Sequence, residues 1–328
     1  MSDLAGETGL SLVADIGGTN TRVALARGPA IDRSTVTRFA NADHPDLAAV
    51  LGAFLGETGV GADRITGVCI AAAGPVHDGV AELTNLDWRI DRATLAKALT
   101  ARKVAVLNDL QAQGHAIGHV DAADLDAVIP QPDAPPLATR LVVGLGTGFN
   151  ACPVFDTPGG RFVPPSEAGH VSLPACGGDM HPLVDAMQRD HGFASVEEVL
   201  SGRGISYLHH VLHGEHASPS GIMQRLDAGE ARAERTGAAL VQVMGTVVGD
   251  LALTHLPFGG IYLVGGVTRA VAPHLARFGF AAHLRAKGRF SGFMDQFGVA
   301  VVRDDYAALT GCASHLARLP DPAKAPSS

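Results

Sequence analysis

Leu12-Val-Ala-Asp15-Ile-Gly17-Gly18-Thr19-Asn20 and, far downstream, Leu141-Val-Val-Gly144-Leu-Gly146-Thr147-Gly148 decide the fold class. Leu10 to Ala14 and Thr21 to Ala26 are apolar extended runs on either side of the turn Asp15 to Asn20, which predicts a glycine hairpin. Arg140 to Gly144 and Asn150 to Phe155 flank Gly144 to Gly148 in the same way. The two segments read as copies of one strand-turn-strand device, so two related halves facing a cleft are expected.

Around these turns, helix and strand patterns alternate, which indicates an α/β sheet. Leu47, Val50, Leu51, Phe54 and Leu55 recur at helical spacing, and Ile65 to Ala73 is a nearly continuous apolar strand. A helix follows Asp91, a suitable N-cap, and Lys103 to Leu107 is a strand running into Asn108-Asp109. The proline-rich stretch Pro130 to Pro136 is read as a surface connection. A long amphipathic helix spans Ala231 to His255 and stops before Pro257. Strands Ile261 to Val264 and Val299 to Val302, a helix from about Val271, and a C-terminal helix from Tyr306 to Leu316 complete the pattern, leaving a frayed tail from Pro320.

The chain has 328 residues, enough for about two domains. Its 25 Lys+Arg against 33 Asp+Glu give a net charge of -8, and no basic stripe is present, which argues against a nucleic-acid partner. Cys69, Cys152, Cys176 and Cys312 lie far apart without C-x-x-C spacing, so a cytoplasmic location fits better than a disulfide framework. The acidic start, Met1 to Glu7, lacks a signal peptide's positive charge, and no uninterrupted apolar run approaches ~20 residues, so no membrane association is expected.

Turns of this kind can wrap phosphate oxygens, because free backbone N–H groups point at the ligand and glycine permits close approach and positive φ. Gly265-Gly266, opening a helix, is a third such turn. There is no G-x-x-x-x-G-K-[ST], and Phe149 stands where G-x-G-x-x-G needs its last glycine, which disfavours a P-loop or a dinucleotide site. Asp15 within the first turn suits a nucleotide held with Mg²⁺; an ordinary turn residue is the alternative.

Together, Asp15-Ile-Gly-Gly-Thr-Asn-x-Arg22, Asn108-Asp109, Gly146-Thr-Gly148, Glu167-x-Gly-His170 and Leu200-Ser-Gly-x-Gly204 resemble the bacterial glucokinase family nearly end to end. Gly74-Pro-Val76, Thr84-Asn85 with Trp88, Gly265-Gly266 and Lys287-Gly-Arg-Phe290 agree in order. The resemblance implies two actin-like (ribonuclease H-like) α/β domains with mixed sheets flanking an interdomain cleft. We expect a small domain over residues 1–119, completed by 305–328, and a large one over 120–304.

It also implies ATP-dependent phosphorylation of the glucose 6-hydroxyl by a homodimer. ATP would lie on Ala14, Asp15, Ile16, Gly17, Gly18, Thr19 and Asn20, on Gly146, Thr147 and Gly148, and on Gly265 and Gly266, with Asp15 near Mg²⁺. Asp109 would be the general base, and Asn108, Asp109, Glu167, His170 and Glu197 would contact the sugar. From the residues alone, the alternative is that Asn108-Asp109 is an N-cap for a following helix. Glu167 and His170 read as a surface glutamate and an unrelated core histidine, while Ser195-x-x-Glu198 reads as a capping box that leaves Glu197 over.

The chain departs from the family pattern at Ala168 and Ser172 in the sugar loop and at Phe149-Asn150 after the second turn. Another hexose (mannose, fructose or an N-acylhexosamine) therefore stays open as substrate. A non-catalytic sugar sensor and a filament-forming ATPase are the remaining alternatives. His209, His213 and His216 share a predicted helical face without a carboxylate or cysteine at clear ligand spacing, and are read as a surface or interface stripe.

Overall fold

The computed structural model describes residues 9–83, 86–174 and 180–320. The chain divides into two compact units, one running up to Asp121 and resuming at Asp304, the other spanning Ala122–Arg303.

In the first unit, β1 (Leu10–Ile16) reverses into antiparallel β2 (Asn20–Arg27), and the short β3 (Ala30–Ile31) and β4 (Thr37–Ala40) pair with β2. After α1 (Leu47–Thr58), β5 (Ile65–Ala72) joins parallel to β1. A small antiparallel sheet of β6 (Val76–His77), β7 (Val80–Glu82) and β8 (Arg89–Asp91) and then α2 (Arg92–Leu99) lead to β9 (Lys103–Asn108), parallel to β5. Helix α3 (Asp109–Ala116) follows at once.

The apolar runs in β1 and β5 are continuous because both sheet faces are covered. Leu12, Ala14, Ile16, Val68 and Ile70 pack with Val50, Leu51 and Phe54 of α1 and Leu95 of α2. The alternate residues Val13, Cys69 and Ala71 pack with Leu309, Cys312 and Leu316 near the C-terminus. The expected cap at Asp91 holds, accepting from Ala93 N–H at 2.7 Å, and Asp46 caps α1 in the same way, accepting from Ala49 N–H at 2.8 Å.

The second unit contains β10 (Leu125–Ile129), β11 (Arg140–Leu145), β12 (Phe149–Thr157) and β13 (Gly160–Phe162). Helices α4 (Met180–His191), α5 (Gly202–His213), α6 (Pro219–Asp227) and α7 (Ala231–His255) follow. Next come β14 (Ile261–Val264), α8 (Gly266–Val271), α9 (Phe280–Arg285) and β15 (Val299–Val302), giving the sheet order β10-β15-β14-β11-β12-β13. Strand β11 pairs antiparallel with β12 and parallel with β14, which pairs parallel with β15. This repeats the β2-β1-β5-β9 arrangement, so the duplicated device is real.

Helix α7 fills the middle of this unit: Leu240, Val243, Met244 and Val248 are almost wholly buried. By length and composition it could span a membrane, yet 61% of its apolar window is buried within the protein. It stops at His255, with Leu256 at φ +48 before Pro257, because the residue preceding proline is driven out of the helical region.

Three local expectations are corrected. Gly265, at φ +104, turns β14 directly into α8, so that helix begins at Gly266 and has ended by Val271. No helix starts at Ser195, which instead bridges to Ser172; Ser201 is the cap, accepting from Gly204 N–H at 3.1 Å, and Glu198 pairs with Arg203 at 2.8 Å. His216 lies beyond α5 and stacks on His210, while His209 packs on His213, so the three histidines do not share one helical face. Thr84, Asn85, Cys176, Met1 to Glu7 and the tail beyond Pro320 lie outside the described residues.

The last helix, α10 (Ala307–Arg318), belongs to the first unit and crosses α3 at Gly311, where a Cβ would lie 1.7 Å from Ala112 O. Gly311→Ala is expected to destabilise the protein by ~1–3 kcal/mol or more through overpacking, measured by chemical denaturation; an unchanged midpoint would contradict this contact.

Burial holds His209, His255 and His315 below the ordinary histidine range, with the His213 and Arg318 charges adding to the effect at His209 and His315. A folded pKa below the unfolded one means stability that is complete above about pH 6.5 and lost as pH falls. The thermal midpoint should therefore drop between pH 7.5 and 5.5, and a midpoint that rises over that window would refute the assignment.

Candidate active site

Strand pairing places the first unit's candidate residues along one sheet edge. Ile16 pairs with Ala72 and Ala72 with Asn108, so the carboxyl ends of β1, β5 and β9 form a row. In α/β sheets ligands bind beyond such ends. The turn Gly17-Gly18-Thr19 emerges there, closed by Gly17 N–H donating to Asn20 O at 2.9 Å. Neither turn glycine adopts positive φ, and a Cβ at Gly17 would meet only Asn20 O at 3.5 Å. The glycines thus keep the backbone bare, and the conformational reason offered from sequence does not apply to them.

Sequence reading missed the brace of this turn. Buried Asn41 donates through Nδ2 to Gly17 O at 2.8 Å, accepts from Thr21 Oγ1 at 2.8 Å, and donates its own N–H to Thr19 O at 2.9 Å. Nothing local in Ala40-Asn41-Ala42 signals this role, because the partners lie on β2 and the turn before it.

Asp15 faces Arg22 across the hairpin, with 3.9 Å between carboxylate and guanidinium and 22% of its side chain exposed. Desolvation raises its pKa above the ordinary carboxylate value, and the Arg22 charge only partly offsets this.

Asn108 and Asp109 meet at the start of α3. Asn108 Oδ1 accepts from Leu110 N–H at 2.9 Å, Gln111 Oε1 accepts from Asn108 N–H at 3.1 Å, and Asn108 Nδ2 donates to Gly74 O at 3.0 Å. The capping reading of Asn108 is correct. Asp109, at the first helical position, accepts from Leu110 N–H at 2.8 Å and is half-buried, where the helix N-terminus favours a negative group.

The second unit gathers the others. Gly146 N–H donates to Gly148 O, and Gly146 O accepts from Gly202 N–H, each at 2.9 Å. Glu197 Oε2 accepts from Phe149 N–H at 2.9 Å and Glu197 Oε1 from Arg203 at 2.7 Å, so this carboxylate is locked against the turn. Gly148 lets the carboxylate approach the turn this closely, since a Cβ there would lie 2.5 Å from Glu197 Oε2 and would displace it. Gly265 packs against Leu145 O, where a Cβ would approach to 2.2 Å, setting the third glycine turn beside the second.

The Glu167–His170 loop docks on the same assembly: Glu197 N–H donates to Gly169 O at 2.9 Å, and Val196 N–H to Val171 O at 3.0 Å. Glu167 and His170 are exposed, and among the described residues neither side chain has a hydrogen bond or ion pair, which leaves both for a ligand. The Ala168 methyl packs against the unit's apolar core. The structure therefore groups Glu167, His170 and Glu197 with Gly146 to Gly148, and groups Asp15 to Asn20 with Asn108 and Asp109.

The sequence pattern of the glucokinase family matches residues 12–319. A glucokinase of Chromohalobacter salexigens is 32% identical over 93% of this chain and 97% of its own length. One from Cupriavidus pinatubonensis is 33% identical over 93% and 92%. The crystal structure of a glucokinase from an Antarctic psychrotroph superposes with a TM-score of 0.82 at 29% identity, covering 94% of this chain and 98% of the other. The sheet order, the duplicated glycine hairpins and these matches agree: the chain belongs to the glucokinase family.

Proposed function

We infer that the protein transfers the γ-phosphoryl group of ATP to the 6-hydroxyl of glucose. The observation that carries this reading is the Asn108–Asp109 pair at the end of β9, in the same strand-end row as the bare first glycine turn. Phosphoryl transfer to a hydroxyl needs little covalent help, and most of the catalysis is positioning and charge stabilisation, with one carboxylate to receive the proton.

Asp109 takes the 6-hydroxyl proton as the oxygen attacks in line. Asn108 holds a neighbouring hydroxyl through the second N–H of an amide whose other groups fix the helix start. Glu167 and His170 supply an acceptor and a ring nitrogen to the sugar, and Glu197 completes the set. The Gly17 and Gly146 amides close their own turns, and the neighbouring amides of Gly18 and Thr19, of Thr147 and Gly148, and of Gly265-Gly266 bind phosphate oxygens.

Asp15 fits a Mg²⁺ ion that accompanies ATP. It is a half-buried oxygen donor whose carboxylate has no hydrogen bond within the described residues and whose negative charge the Arg22 guanidinium offsets only in part. The ion would supply neutralisation of phosphate charge. We place this activity in the cytoplasm and assign it to a homodimer.

The test is ADP release with MgATP and a panel of hexoses. Glucose should be turned over best, and ATP hydrolysis without sugar should be low. Asp109→Asn should lower kcat by roughly 10²–10⁴-fold with little change in thermal midpoint, the range for loss of a general base. Retained turnover in that variant would remove Asp109 from the mechanism.

Gly146 offers a second test, because a Cβ there meets nothing within 4 Å. Gly146→Ala should fold with an unchanged midpoint yet raise the KM for ATP by about tenfold or more, since small misplacement of the reacting groups is costly. An unaltered KM for ATP would take the phosphates off this turn.

A further inference from the structure

The side chain of Asn150 is the tie between the second glycine turn and the Glu167 loop. Its Oδ1 accepts from Ala168 N–H at 2.9 Å and from its own neighbour Ala151 N–H at 2.8 Å, while Nδ2 donates to Ser166 O. These bonds fix the amide's orientation, since both oxygen contacts are N–H donors and the nitrogen contact is a carbonyl. The residue is half-buried on β12, two positions beyond Gly148.

The amide thus grips the backbone immediately before and immediately after Glu167 and leaves that residue's own carboxylate unengaged. One residue further on, Gly169 lies directly on the strand, for a Cβ there would be 2.2 Å from Phe149 O. The loop is held at residues 166, 168 and 169, and Glu167 projects from the held segment.

We propose that Asn150 is a positioning residue for the sugar: it fixes Glu167 at a set distance from the Gly146–Gly148 turn, so that sugar and phosphate contacts share one rigid support. This rests on the assignment of Glu167 to the sugar under the proposed function. An ordinary loop tether would set stability alone, whereas a positioning role sets sugar affinity through Glu167. A side chain whose support is left loose costs affinity and rate without losing any direct contact to the ligand.

The experiment is a double-mutant cycle on the full-length protein with Asn150→Ala, Glu167→Gln and the pair. The readouts are KM for glucose, KM for ATP, kcat, glucose binding by calorimetry, and thermal midpoint. Asn150→Ala should raise KM and Kd for glucose by roughly ten- to hundred-fold, with a much smaller change in KM for ATP. In the Glu167→Gln background the same substitution should add little, because residues acting as one unit are non-additive.

Asn150→Asp keeps the acceptor for the Ala168 and Ala151 N–H groups and replaces the donor to Ser166 O by a charged oxygen that repels it. It should shift glucose affinity in the same direction by less, and it carries the test if the alanine variant fails to fold. A glucose KM unchanged in Asn150→Ala or Asn150→Asp, or a full additional loss in the Glu167→Gln background, overturns the proposal. If Glu167→Gln itself leaves glucose binding intact, the sugar assignment is what fails. If the wild-type protein does not phosphorylate glucose at all, the proposed function fails.

Discussion

Two rungs of parallel backbone pairing, Ile16 beside Ala72 and Ala72 beside Asn108, fix the chemistry of the first unit. Parallel strands cannot be joined by a tight turn, so each is reached by a long crossover and all their carboxyl ends point the same way. Only β1 leaves that edge by a direct reversal, into antiparallel β2. The reversal places exposed backbone amides next to strand ends that carry Asn108 and Asp109. The second unit meets the same constraint with β11, β14 and β15, and there the turn at Gly146 lies beside Gly265.

A turn stripped of side chains has nothing of its own to hold its shape, and glycine loses more freedom on folding than any other residue. Each unit supplies the missing constraint from outside, by different chemistry. In the first, buried Asn41 bonds to both Gly17 and Thr21. In the second, the carboxylate of Glu197 and the N–H of Gly202 fasten the turn, and Arg203 neutralises Glu197 while also pairing with Glu198. The neutralisation lets a charge sit against backbone without being left unpaired.

The fold class and family were legible because they rest on local, periodic signals. Helix α7 was read to its observed ends, Ala231 and His255, since the 3.6-residue period is long and Pro257 terminates it. The two hairpins announced themselves by apolar runs around glycine. What failed were short patterns open to tertiary override. Ser195-x-x-Glu198 has the form of a capping box, but backbone pairing around Ser172 and Ser195 holds the segment out of a helix. The braces Asn41 and Asn150 were illegible as such, because their partners are defined only after the sheet forms. Gly17 and Gly146 do not adopt positive φ, and a Cβ on either would meet little, so conformation and crowding do not explain these two glycines.

Several candidate residues carry structural duty as well, and this changes how their substitution should be read. Asn108 caps α3 and ties it to Gly74, so its removal costs a cap worth ~0.5–2 kcal/mol before any sugar contact is considered. Asp109 rides on the same helix start, and the line of α3 is fixed by backbone contact with Gly311 of α10. That dependence gives a physical reason for the chain to return its last helix to the first unit: the helix that carries Asp109 is supported on its outer side only when residues from the far end of the sequence pack on it. Asp109 is therefore placed by the completed unit, and a chain lacking α10 would leave Leu309, Cys312 and Leu316 absent from one face of the sheet, with α3 unsupported at its crossing.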